Sequence, residues 1–166
     1  MNSEFEAAYN CIIMHHYSEA YDRFKKLYYG ERDNSHYFTA CIISLLLKEN
    51  IDILFEFIEQ ESIHKKHSEL IEIILNGINF YKSSITPFAS SKKTSDIFNI
   101  IISCFRTIRQ TKFNELSYLF LRTARILKPN DYYLLKYSSE ESFKNGSIEK
   151  GCSLLVKAAK AWSMKD

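Results

Sequence analysis

Four glycines and two prolines in 166 residues leave this chain few means of reversing direction sharply. A β-sandwich or barrel needs a turn signal about every 8–12 residues, and those turns draw on glycine for positive φ and on proline for fixed φ. Helices joined by short links need far fewer. The rest of the composition is that of an ordered chain, with 46% hydrophobic and 14% aromatic residues. That is enough apolar surface to bury the core of one small domain or one short solenoid. An all-α fold is the expectation.

The spacing of apolar residues supports it. Ile97, Ile100, Ile101, Cys104, Phe105 and Ile108 recur at steps of three and four, one face of a helix. Ser95 or Asp96 can cap its start by accepting a backbone N–H. After a break at Gln110-Thr111-Lys112, a second stripe follows through Phe113, Leu116, Phe120, Ala124 and Leu127. Pro129 ends it, because the residue before proline avoids helical geometry. A third run over 131–144 stops at Asn145-Gly146, a helix C-terminal signal. The last helix places Ile148, Cys152, Leu155, Ala159 and Trp162 on one side, read as its core face. In the first half, helices are expected near 3–14, 17–29, 35–48, 51–61 and 66–81. The Ser/Lys-rich stretch with one proline at 83–94 reads as a loop. The whole chain, 1–166, reads as one domain.

Paired helices of similar length call for a test of internal period. A shift of 34 residues lays Tyr17, Ala20 and Phe24 on Ile51, Leu54 and Ile58, and Ser117, Leu121 and Ala124 on Gly151, Leu155 and Ala158. Ala20, Ser117 and Gly151 are small where two helices must approach, and Phe24, Leu121 and Leu155 fill the groove beyond. This pattern resembles the tetratricopeptide repeat, with its A-x3-F core and a proline closing the second helix: Ala20-x3-Phe24 matches it, as does Ser117-x3-Leu121-x2-Ala124-x4-Pro129. The Trp and Leu-Gly usual in the first helix of that repeat are absent. The resemblance implies an α-α superhelix of about four to five degenerate helical hairpins. The layout of two repeats, a third running into a loop and a fourth ending in Leu127-Lys128-Pro129 is similar to the N-terminal dimerisation domain of the tetratricopeptide scaffold subunits of the anaphase-promoting complex. His16-Tyr17-Ser18-Glu19-Ala20, Lys26-Leu27-Tyr28-Tyr29 and Tyr37-Phe38-Thr39-Ala40-Cys41 carry that likeness. It implies a homodimer and a role in building a ubiquitin ligase of the cell cycle.

The residues themselves point to binding rather than catalysis. No phosphate-cradling glycine loop, nucleophile elbow or dinucleotide fingerprint occurs. His64-Lys65-Lys66-His67 has histidines three apart, but the lysines between them repel a cation, so a solvated helix start is expected. His15-His16 reads as a turn. Cys11, Cys41, Cys104 and Cys152 are widely spaced within apolar runs and read as buried free thiols in a reducing compartment. No metal or cofactor is expected.

Two surfaces stand out. The first helix is apolar nearly all round, with Phe5, Ala8, Tyr9, Ile12 and Ile13 on one side and Ala7, Cys11 and Met14 on another. That is the pattern of a helix covered on both sides, and a second copy of the chain is the expected cover. Charge divides the chain: residues 1–90 carry 8 Lys+Arg against 13 Asp+Glu, net −5, and residues 91–166 carry 14 against 7, net +7. An acidic partner for the C-terminal half follows. Among the basic residues there, Arg106, Arg109 and Lys136 are expected to face a peptide groove and grip carboxylates, while a plain solvated face is the other reading. A whole-chain charge of +2 supplies little attraction for nucleic acid. The apolar run Ala40–Leu47 is too short to span a bilayer, and the polar Asn2–Glu6 opening does not read as a secretory leader, so an intracellular protein, cytoplasmic or nuclear, is expected. The function expected is a self-associating interaction scaffold; a small tetratricopeptide chaperone holding an extended peptide is the alternative.

Overall fold

A computed structural model describes residues 2–84 and 93–164, which form nine α-helices, one 3-10 turn and no strand. The helices are α1 Ser3–Ile13, α2 Tyr17–Gly30, α3 Ser35–Leu47, α4 Ile51–Ile63, α5 Ser68–Ser84, α6 Lys93–Arg109, α7 Ser117–Leu127, α8 Tyr132–Lys144 and α9 Ile148–Ser163, with the 3-10 turn at Asn114–Leu116. The all-α expectation holds. Of the loop expected at 83–94, Ser84 and Lys93 belong to helices, and residues 85–92 lie outside the described residues. Packing divides the chain into two compact units, Met1–Phe120 and Leu121–Asp166, where the sequence reads as a single domain.

In the first unit α3 is the centre. Its residues from Tyr37 to Leu47 are all buried, so no side of this helix meets solvent. Its sequence is apolar all round, which only cover from several directions can satisfy. α2 packs along it, and α4, α6 and the 3-10 turn contact it as well. The two buried hydroxyls in this stretch are satisfied within the helix: Thr39 donates to the Ser35 carbonyl at 2.7 Å and Ser44 to the Ala40 carbonyl at 2.9 Å.

Aromatic rings fill the space around α3. Phe5 of α1 stacks on Tyr37 at 5.8 Å and meets Phe24 of α2 at 5.1 Å. Tyr28, Phe38, Phe57 and His67 form a second cluster, in which His67 stacks on Phe38 at 4.5 Å. His67 is therefore buried, and its Nε2 donates to the Arg32 carbonyl at 2.8 Å. Of the expected solvated stretch His64-Lys65-Lys66-His67, only the first three are exposed. The buried Glu61 is tolerated because the Tyr28 hydroxyl donates to it at 2.5 Å. Burial, and then that hydrogen bond, push the Tyr28 phenol well above its ordinary range.

Most of the residues expected at a dimer surface are internal. Phe5, Ala8, Tyr9 and Ile12 are buried within the unit, and only Ile13 of the five is open, at 46% exposure. The cover that the sequence reading assigns to a second copy comes instead from within the chain: α1 packs along α2, with Phe5 and Tyr9 against Phe24, and Phe5 also stacks on Tyr37 of α3. Met14, beside Ile13, is also exposed.

Scarce glycine does not prevent tight joints. His15, Glu49 and Lys65 take positive φ, at 61°, 56° and 54°, just past the ends of α1, α3 and α4. After α1, His15 N–H returns to the Ile12 carbonyl and His16 N–H to the Cys11 carbonyl, the paired bonds of a Schellman end. The end of α8 repeats this: Gly146 takes φ 74°, its N–H returns to the Phe143 carbonyl, and the Ser147 N–H returns to the Ser142 carbonyl. His15 thus lies in the turn that the sequence predicts.

Glycine is needed instead where α5 crosses α6. A Cβ on Gly77 would lie 2.9 Å from the Cys104 Cα and 3.3 Å from its N. There Ser103 donates to the Gly77 carbonyl at 2.6 Å and pins the crossing.

Four substitutions check these assignments by thermal or urea unfolding. Gly77→Ala is expected to lower stability by about 1–3 kcal/mol, although alanine is the better helix former, because backbone must move. Glu49→Gly is expected to raise it by about 0.5–1 kcal/mol by relieving the left-handed conformation at an exposed position. Phe5→Ala is expected to cost about 3–5 kcal/mol whatever the protein concentration, whereas Ile13→Asp stays within about 0.5 kcal/mol. Strong concentration dependence of the Phe5→Ala effect would return that residue to an interface.

Candidate docking face on the last helical hairpin

In the second unit α8 and α9 run antiparallel. Tyr132 at the start of α8 meets Trp162 near the end of α9, with ring centroids 4.9 Å apart, while Phe143 near the end of α8 lies over Gly151 near the start of α9. Ser139 donates to the Gly151 carbonyl at 2.9 Å, the same serine-to-glycine pin that joins α5 and α6. Leu135, Leu154 and Ala158 form the buried cluster between them, with Tyr132 and Ala161 packed against it. Asp131 caps α8, its carboxylate accepting from the N–H groups of Tyr133 and Leu134.

The face α9 buries is not the one its sequence suggests. Gly151, Leu154 and Ala158 turn toward α8, whereas Ile148, Cys152, Leu155, Ala159 and Trp162 are exposed. α9 has two apolar stripes, and α8 takes the one with the smaller residues. Gly151 is part of the reason: a Cβ there would meet the Phe143 ring at 2.6 Å, so the close pairing is made through glycine and alanine. The larger stripe is left open, with Ile148 at 67% exposure, Leu155 at 43% and Trp162 at 55%.

Part of that stripe forms one wall of a groove. Tyr132 and Lys136 of α8 and Leu155, Ala158, Ala159 and Trp162 of α9 line a volume of about 360 Å³. Its floor is apolar, and Lys136 supplies an ammonium with three N–H donors at the rim. Such a groove can take up apolar side chains and steer a carboxylate. Lys136 lines this α8–α9 groove, which is not the groove shared with Arg106 and Arg109 that the sequence suggests. Tyr132 and Ala158 were not legible as groove residues, because which residues flank a groove depends on how two helices are rotated against each other.

The other expected groove residues belong to the first unit. Arg106 is exposed on α6, and Arg109, half-buried one turn later, lies with its guanidinium 5.7 Å from the Phe105 ring centroid. Lys136 belongs to the second unit, so the three are not one described site. Among the described residues no group of three or more His, Cys, Asp and Glu side chains stands close enough to share a metal ion, and no helix is long and apolar enough to cross a membrane.

Three of the four thiols are buried as expected; Cys152, on the open stripe of α9, is not. Burial pushes the Cys104 thiol up to about 12 and the Cys41 thiol strongly upward as well, which keeps both protonated near neutral pH. A chromogenic disulfide reagent at pH 8 is expected to label Cys152 within minutes, and Cys41 and Cys104 only on unfolding. Prompt labelling of Cys41 or Cys104 in the folded protein, located by peptide mass, would contradict the burial of these helices.

No family model, no curated protein and no solved structure matches this chain.

Proposed function

We propose that this protein is a non-catalytic interaction scaffold of tetratricopeptide type, which holds another protein on the α8–α9 face. The observation that carries the reading is the open apolar stripe of α9. In the A-x3-F pattern, four residues after the small residue, Phe24 and Leu121 occupy the position that Leu155 occupies in the last hairpin. The first two are buried and Leu155 is 43% exposed. A position filled twice and open once is an apolar site with no cover among the described residues. Burying such a leucine contributes about 1.5–3 kcal/mol, a strong incentive to be covered.

The repeat reading draws support from burial at the positions that define it. Ala20, Ser117 and Gly151 are all buried where small residues are required, as are Ala124 and Ala158. The resemblance to scaffold subunits of the anaphase-promoting complex adds a class of partner, the other subunits of a ubiquitin ligase. Self-association at the other end of the chain would draw on Ile13 and Met14, the exposed apolar pair after α1, since the rest of the expected interface is internal.

Capture from a native lysate on the immobilised protein and on its Leu155→Asp variant, with bound proteins identified by mass spectrometry, tests the docking face. A defined set of partners is expected on the parent and lost from the variant by about tenfold or more. Ubiquitin-ligase subunits in that set would support the scaffold assignment. Retention of the same set by Leu155→Asp would remove this face from a docking role.

A further inference from the structure

The open stripe on α9 has a spacing of its own. Ile148, Cys152, Leu155, Ala159 and Trp162 follow one another by four, three, four and three residues. That is the seam of a heptad, which presents knobs to a second helix crossing at a shallow angle; an extended peptide offers side chains at a period of two and cannot match it. Ala159 and Cys152 are small and alternate with Ile148, Leu155 and Trp162, so the seam has recesses as well as knobs.

Charge decides what kind of helix fits. Lys136 of α8 borders the seam on one side. On the other side stands Lys160: at 100° per residue, Ala158 faces α8, Ala159 lies in the seam and Lys160 points to the far flank. Both lysines are exposed, and neither makes an ion pair among the described residues. Lys150 and Lys157 stand on the side of α9 away from the seam, and Glu149, the helix's single carboxylate, lies on the Lys160 side but in the first turn, about three turns away. A second copy of α9 would set lysine against lysine along the seam, which is unfavourable. A helix with carboxylates beside its apolar stripe would pair with them.

We propose that the α8–α9 face binds an amphipathic helix whose apolar heptad stripe is flanked by acidic residues, an inference that rests on the docking role proposed above. The apolar seam supplies affinity, and the Lys136–Lys160 bracket selects the sign of the partner's charge.

The chain's single tryptophan lies in the groove and reports on its occupation. Synthetic helical peptides of about three heptads, with leucine along the stripe and glutamate on both flanks, are titrated into the full chain while Trp162 emission is followed. Control peptides carry lysine in place of glutamate, or proline breaks that hold the same composition extended. The glutamate helix is expected to shift the emission to shorter wavelength and to bind at least about tenfold more tightly than the lysine helix at low salt, an advantage that shrinks as salt is added. The Lys136→Glu/Lys160→Glu double variant, changed only at exposed positions, is expected to reverse the preference.

Equal affinity for the two helices, or an unchanged preference in the double variant, would overturn the acidic-flank inference and leave the docking role standing. Preference for the extended peptide would overturn it in favour of a chaperone-like groove. A concentration-dependent emission shift without peptide, with doubled mass by light scattering, would assign the face to a second copy. Silence toward every peptide would overturn it too, and only together with unchanged capture by Leu155→Asp would the docking role fall with it.

Discussion

Eleven consecutive buried residues, Tyr37 to Leu47, set the terms for the first unit. A helix with one apolar face needs one neighbour, but a helix apolar all round must be surrounded. α2, α4, α6 and the 3-10 turn supply the surround, and α1 closes the near end through Phe5 against Tyr37. This arrangement also explains why α1, itself apolar on most sides, is satisfied within the chain. Each fully buried Leu, Ile or Phe along α3 contributes about 1.5–3 kcal/mol. The few polar groups drawn in with them are matched at once, Thr39 and Ser44 to their own helix, and Glu61 to the Tyr28 hydroxyl.

Two local devices let so glycine-poor a chain pack closely. At helix ends, three non-glycine residues accept left-handed backbone, and the bonds they return to the preceding turn offset part of the strain. At two crossings, glycine is kept for the absence of a side chain, and a serine on the opposite helix donates to its carbonyl: Ser103 to Gly77 and Ser139 to Gly151. The same pin in both hairpins fixes helices at short range without a large side chain between them. Glycine is thus used for distance between helices more than for turning.

That economy shapes the α8–α9 face. Because Gly151 and Ala158 bring α9 close to α8, the bulkier residues Ile148, Leu155 and Trp162 are rotated outward. The open stripe is the other side of a tight pairing. A seam of heptad spacing between lysines that make no ion pair among the described residues is a surface with both an apolar driving force and a sign of charge, which together define a class of partner.

Much of this fold could be read from the residues in order. Helix periodicity, the breaks at Gly30 to Asn34 and Lys48 to Asn50, Pro129 and the Asn145-Gly146 stop placed most elements within a few residues, because a 3.6-residue period and a helix stop are local properties. The caps Asn34, Asn50 and Asp131 emerge only in the structure. The stripes of α6 and α7 were legible for the same reason: each has a single large apolar face. What the residues could not decide was which of two apolar stripes α9 would bury, whether His67 and Phe5 would meet solvent, a partner or the chain itself, and where the packing would divide. Those outcomes depend on the rotation of one helix against another and on volumes such as the 2.9 Å approach at Gly77, which exist only once distant segments have come together. The sequence determined that the chain would be helical and, to within a few residues, where most helices lie; the tertiary structure decided which apolar face was left over, and with it the candidate site.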